Sequence, residues 1–146
     1  MTYATVMCAC GHLDVVNVRG GRERRAKRIE NYSRECEKCW KVRHRSERAA
    51  ASAAAGEWAK TMHLPELEGS KKQIAWAETI RRNVFEALER HSSDSIRHAT
   101  GVRSENAMRK RFDAVRERMM AETSAKVWID HRNVWAAIGY FEGWRA

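Results

Sequence analysis

Cys8-Ala9-Cys10-Gly11-His12 and Cys36-Glu37-Lys38-Cys39 are the two stretches that decide how the first part of this chain folds. All four cysteines fall in these two close pairs, with 25 residues between Cys10 and Cys36. A close pair at a tight turn can put two sulfurs on one metal ion, and Gly11 permits the backbone twist such a turn requires. Two such pairs supply the four corners of a tetrahedral zinc site. The C-x2-C spacing of the second pair is standard, whereas the C-x-C of the first is less usual and makes His12 a fifth candidate ligand. We therefore expect one structural zinc ion per chain, held by Cys8, Cys10, Cys36 and Cys39, with His12 the substitute for one cysteine. All positions would be filled by protein donors, which leaves no open coordination site for catalysis. The other readings are reduced structural thiols or a redox pair, though no βαβ pattern supports a thioredoxin-like fold.

The segment joining the pairs has its own pattern. His12 to Val18 is β-branched and stops at Arg19-Gly20-Gly21, which predicts a short strand and a tight turn. Arg22 to Arg34 lacks Gly and Pro and predicts a short helix with one narrow apolar edge of Ala26, Ile29 and Tyr32.

Outward from Cys39 the chain reads as helix. Trp40 to Met62 holds no Pro and carries the run Ala49-Ala-Ala-Ser-Ala-Ala-Ala55, of the highest intrinsic helix propensity. His63-Leu64-Pro65 ends it, because Pro disfavours helical geometry in the residue before it. Ser70-Lys-Lys-Gln73 has the form of a capping box, followed by Ile74, Ala77, Ile80, Val84 and Leu88 at helical spacing. Arg81, Arg82, Glu86 and Glu89 fall elsewhere on the wheel, and Ser92-Ser-Asp-Ser95 is expected to break the helix. Met108, Phe112, Val115 and Met119 mark another helix from about Ser104 to Glu122. A last element is expected from Ser124 to Ile138, with Trp128, His131, Trp135 and Ile138 on one side, before an aromatic tail of Tyr140, Phe141 and Trp144. The fold class is mainly α, with a small β-containing zinc-ribbon or zinc-knuckle module at the N-terminus and a helical body. Boundaries are expected at 1–45 for the zinc module, 46–63 for a connecting helix and 64–146 for a helical domain.

Charge narrows the partners. The chain has 28 Lys and Arg against 19 Asp and Glu, a net charge of +9, which favours an anionic partner. Residues 19–48 hold twelve basic and five acidic side chains, so most of the excess lies in and just after the zinc module. No apolar run is long enough to span a membrane, and the first residues lack the pattern of a signal peptide, so the cytoplasm is the expected compartment. Catalysis is not expected. Asp130 with His131, and His12 with Asp14, come without a nucleophile or an open metal site, and no Gly-rich phosphate loop or deaminase signature is present.

The two cysteine blocks, the stretch Leu64 to Arg81 and the piece Trp128-Ile-Asp-His-Arg132 resemble a group of small zinc-ribbon proteins from bacteriophages and bacterial mobile elements. The resemblance implies architecture more than activity, and phage accessory proteins of this size often act on host defence, including as anti-CRISPR proteins.

Two functions follow from the sequence. The first is a nucleic-acid-binding module in which Arg19, Arg22, Arg24, Arg25, Lys27 and Arg28, extended by Lys41 and Arg43, contact phosphates without reading sequence. The second is an inhibitor or adaptor for a host protein or ribonucleoprotein, anchored by aromatics such as Trp58, Trp76 or Trp144.

Overall fold

The computed structural model describes residues 2–32 and 34–143. It divides into two compact units, Met1–Ala49 and Ala50–Ala146. The first begins with β1 (Tyr3–Met7) and β2 (Leu13–Asn17), an antiparallel pair in which Tyr3 faces Asn17, Thr5 faces Val15 and Met7 faces Leu13. Strand β1 was not expected from the sequence. The turn between the strands is closed by Cys8 N–H donating to the His12 carbonyl at 2.9 Å and Gly11 N–H donating to the Cys8 carbonyl at 2.9 Å. Gly11 sits there at φ +76°, a conformation a side chain would strain. Side chains alternate across a strand. Val6 and Val16 face inward against the cysteines, while Tyr3, Met7, Leu13 and Val15 are each at least 60% exposed on the opposite face.

Helix α1 (Arg22–Glu30) buries none of its residues and ends at Asn31, whose side-chain amide donates to the Lys27 carbonyl. The expected helix to Arg34 is therefore shorter. Helix α2 (Glu37–Thr61) starts directly after Cys36. Its first N–H, on Glu37, donates to the Asp14 Oδ2 of β2 at 3.1 Å, so a strand residue satisfies a donor the helix itself cannot. The helix continues past the boundary into the second unit, where Ala55 and Ala59 are buried and Trp58 packs on the core. Most of the expected connecting helix 46–63 thus belongs to the helical unit.

The second unit is built around α3 (Lys71–Arg97), which packs on α4 (Val102–Ala121), α5 (Ala125–Asp130) and α6 (Val134–Glu142). The capping box at Ser70 and Gln73 is present in both directions. Leu67, Val84, Phe85, Leu88, Phe112, Met119 and Trp128 form the centre of the core. Where the chain enters α3, Glu68 N–H donates to the Thr123 carbonyl at 2.7 Å and Ala125 N–H to the Glu68 carbonyl at 3.1 Å. Gly69 lies so close there that a Cβ would meet the Ala125 Cβ at 3.1 Å.

Two expectations are corrected, and one residue off the apolar stripe proves buried. The serine-rich stretch 92–95 does not break α3: it holds neither Gly nor Pro, and the buried Ser92 hydroxyl donates back to the Glu89 carbonyl. Arg81, away from the apolar stripe on the wheel, is nonetheless buried. It is 1% exposed, held by the Glu78 carboxylate at 2.8 Å and the Pro65 carbonyl at 3.0 Å. The element expected over 124–138 is two helices. The break falls at Asn133, whose Oδ1 caps α6 by accepting from Trp135 and Ala136 N–H. That break turns Trp135 outward, 61% exposed, while Trp128 is fully buried. Tyr140 and Phe141, expected in the tail, belong to α6; Trp144 lies outside the described residues.

Candidate metal centre and basic face

Four side chains converge at the first strand turn and the start of α2: Cys10, His12, Cys36 and Cys39, whose donor atoms all lie within 4.8 Å of one another. Each position has a local cause. The glycine turn carries Cys10 and His12 together, and the first turn of α2 brings Cys39 back beside Cys36. His12 Nδ1 is 3.4 Å from Cys39 Sγ and 3.9 Å from Cys36 Sγ. Backbone donors point at the sulfurs: Cys36 N–H at Cys10 Sγ, 3.3 Å, and Cys39 N–H at Cys36 Sγ, 3.4 Å. Such N–H···S bonds orient ligands and favour the thiolate.

The cluster is electrostatically uneven. The backbone N–H groups of Cys36 and His12 hold the Cys10 thiol down at about 6. The Cys36 side chain and then burial push the Cys39 thiol up to about 11. A cation placed among these groups reverses the second effect, because a coordinated thiol gives up its proton. Three cysteines and a histidine so placed could hold a metal ion.

Of the four cysteines expected from the sequence, the convergent group contains Cys10, Cys36 and Cys39, and its fourth member is His12. Cys8 continues the inward alternation of β1 and lies buried beside Val6. Burial, and after it the neighbouring Cys10, pushes its thiol up.

The basic residues divide into two groups. Lys41 is paired with Glu37, and Arg43 with Glu35 and Glu47. Glu35 and then Glu47 push Arg43 up, and the hydrogen-bonded Arg43 guanidinium holds the Glu35 carboxyl down. Arg19, Arg22, Arg24, Arg25, Lys27 and Arg28 form no ion pair among the described residues. Arg25 instead donates to the Thr2 hydroxyl and Arg28 to the Arg19 carbonyl.

In the helical unit, a broad cleft of about 1020 Å³ includes Arg118, Glu122, His131 and Tyr140. His131 stacks on Tyr140 with ring centroids 4.2 Å apart, Asp130 pairs with Lys126, and Arg118 donates to the Phe141 carbonyl. The His131–Tyr140 stack and the Arg118 hydrogen bond join α6 to its neighbours, and the Lys126–Asp130 pair lies within α5. Of the aromatic anchors considered, Trp58 is packed into the core and Trp76 is 51% exposed.

Fold and site together define a mainly helical protein with an N-terminal two-stranded module whose Cys and His side chains could hold a metal ion. No family model matches the chain, and no match is found among curated proteins or solved structures. Among the described residues, no helix is long and apolar enough to cross a membrane.

Proposed function

We propose that this chain is a non-catalytic zinc protein that binds nucleic acid through the phosphate backbone, using the cations on and before α1. The zinc ion is structural, held by Cys10, His12, Cys36 and Cys39. A tetrahedral ion with bonds of about 2.3 Å to sulfur and about 2.0 Å to nitrogen has S···N edges of roughly 3.5 Å. The separations from His12 Nδ1 to the sulfurs, 3.4 and 3.9 Å, bracket that value. With four protein donors the ion is closed to substrate and serves the fold.

The observation that carries the nucleic-acid reading is the row of cations on α1 without carboxylate partners. Helix α1 buries nothing, so its side chains are not spent on a core. Each phosphate neutralised releases counterions, and the affinity falls with salt at a log–log slope of about −0.9 per contact on duplex DNA. Four contacts correspond to a loss of roughly two orders of magnitude between about 50 and 200 mM salt. Arg22→Glu with Arg24→Glu should weaken binding to all sequences alike and flatten that slope, because phosphate contacts position without specifying. Anisotropy titrations of labelled DNA at several salt concentrations check this. Parent protein that binds no DNA at low salt removes the reading.

A second reading, an adaptor or inhibitor of a host protein, is favoured by the exposed face of Tyr3, Met7, Leu13 and Val15. Contiguous apolar surface of this kind is typical of protein-binding sites. In that case Val15→Arg abolishes the complex with the partner while leaving DNA binding untouched.

A further inference from the structure

We propose that the cleft between the end of β2 and the end of α1 holds one nucleotide of a single-stranded nucleic acid, an inference that rests on the reading of the chain as a nucleic-acid binder. The cleft measures about 510 Å³ and is lined by Asn17 from β2, by Lys27, Arg28 and Asn31, and by Tyr32 and Arg34 beyond the helix. Its volume lies within the ~300–1,000 Å³ of ordinary small-ligand sites. Among the described residues, no carboxylate lines it. Three cations face it, against a helix C-terminus worth only about half a negative charge. The Asn31 amide also covers one of those helix-end carbonyls, that of Lys27.

The chemistry suits a nucleotide better than a bare phosphate. Tyr32 is half-buried, packed on one side against the cysteine cluster, and its ring also lines the cleft, where a base can stack. Base–aromatic stacking tolerates any base, since every base presents a π-face. Asn31 offers an amide to a base edge, and Lys27, Arg28 and Arg34 meet the phosphate. A paired base in a duplex cannot reach Tyr32, so the cleft selects single strands, whereas Arg22 and Arg24 lie outside it and serve either form.

The path of the strand follows from charge. An adjoining cleft shares Asn17, Tyr32 and Arg34 but adds Asp14, Glu35 and Glu37. Those carboxylates repel phosphate, and Glu35 already neutralises Arg43. The strand therefore leaves along α1 and not toward α2.

The test compares a labelled oligothymidylate with a DNA hairpin duplex. Parent protein should prefer the single strand. Tyr32→Leu keeps an apolar side chain against the cysteine cluster but cannot stack, and should lose about five- to hundredfold in single-strand affinity with duplex affinity unchanged. Arg34→Glu, on an exposed side chain, should weaken single-strand binding more than duplex binding. In ¹⁵N-resolved spectra the side-chain amide of Asn31 should shift when the oligothymidylate is added. If both variants bind the single strand as the parent does, and duplex binding persists, the cleft assignment is overturned while backbone binding by α1 stands. Absence of binding to either probe at low salt overturns both. Should Tyr32→Leu fail to fold, Arg34→Glu and the amide shifts decide.

Discussion

Cys8 and His12 flank the same turn and have opposite surroundings. Cys8 is 3% exposed beneath β1, while His12 is exposed and aims Nδ1 at the sulfurs of Cys39 and Cys36. Spacing alone made Cys8 the natural fourth ligand, because the sequence does not display which side of a strand end faces a metal. Two residues on from the buried Val6, Cys8 repeats the inward position among the same cysteines, and the turn at Gly11 brings His12 Nδ1 to the sulfurs of Cys39 and Cys36. Cobalt(II) separates the ligand sets, since its d–d bands move when a nitrogen donor replaces a thiolate. Cys8→Ala should leave the cobalt spectrum of the parent intact, and His12→Ala should alter it and weaken binding. The opposite pattern, with Cys8→Ala altering the bands and His12→Ala silent, assigns the ion to four thiolates.

At the scale of elements, two polar contacts tie helices to the rest of their unit. Asp14 satisfies the first N–H of α2 from across the module, and so fixes the helix that carries Cys39 and begins directly after Cys36. Removing a capping acceptor typically costs about 1 kcal/mol. Asp14→Ala should lower the stability of the N-terminal unit by about that amount, read as a shift in its denaturation midpoint with zinc present. The second contact is the Glu78–Arg81 pair under Pro65. Breaking one partner of a buried pair costs about 3–5 kcal/mol, whereas an apolar residue of similar volume at the cation can be nearly neutral when the acid is also removed. Glu78→Ala should therefore destabilise the helical unit strongly in urea, and Glu78→Leu with Arg81→Met should recover much of the loss. Equal stability of Glu78→Ala and parent would show the pair to be dispensable. Elements with a strong local signature were legible in the sequence: the capping box of α3, the alanine-rich α2 and the apolar stripes of α3 and α4. The misreadings occurred where tertiary contacts decide. Ser92 looks like a breaker until its hydroxyl is seen bonded back to the helix, Arg81 looks like surface until Glu78 and Pro65 surround it, and β1 is a short strand that β2 makes visible. Of the candidate metal centre, the two cysteine pairs were legible; the meeting of Tyr32 with Lys27, Arg28 and Asn31 at one cleft was not, because only folding brings them together.

At the scale of the whole molecule, the two units depend on different forces, and metal removal should separate them. The first unit buries Val6, Cys8, Val18 and Cys36 as its apolar interior, with α1 contributing no buried residue. So small a core cannot offset the entropy of ordering its chain, and structural zinc contributes roughly 10–16 kcal/mol of apparent binding energy in finger peptides. Among the described residues, the second unit holds its own core of fourteen buried residues, including Trp128, Phe85, Phe112 and Phe141, and none of them is a Cys or His. Chelation should therefore unfold β1, β2 and α1 and fray the start of α2, whose first N–H loses its Asp14 acceptor and whose first turn loses the ion. Helices α3 to α6, and the part of α2 that carries Ala55, Trp58 and Ala59, should persist. Far-ultraviolet circular dichroism should accordingly fall by a minor fraction on adding chelator. Near-ultraviolet signals from the packed Trp58 and Trp128 should remain, and readdition of zinc should restore the lost part. A fragment of residues 50–146 should show the same spectrum with or without chelator, and it must begin near residue 50 because a start at 64 removes Trp58 from against Phe85. If chelation instead removes all helix in one cooperative step, the helical unit does not stand on its own core, and zinc supports the whole chain.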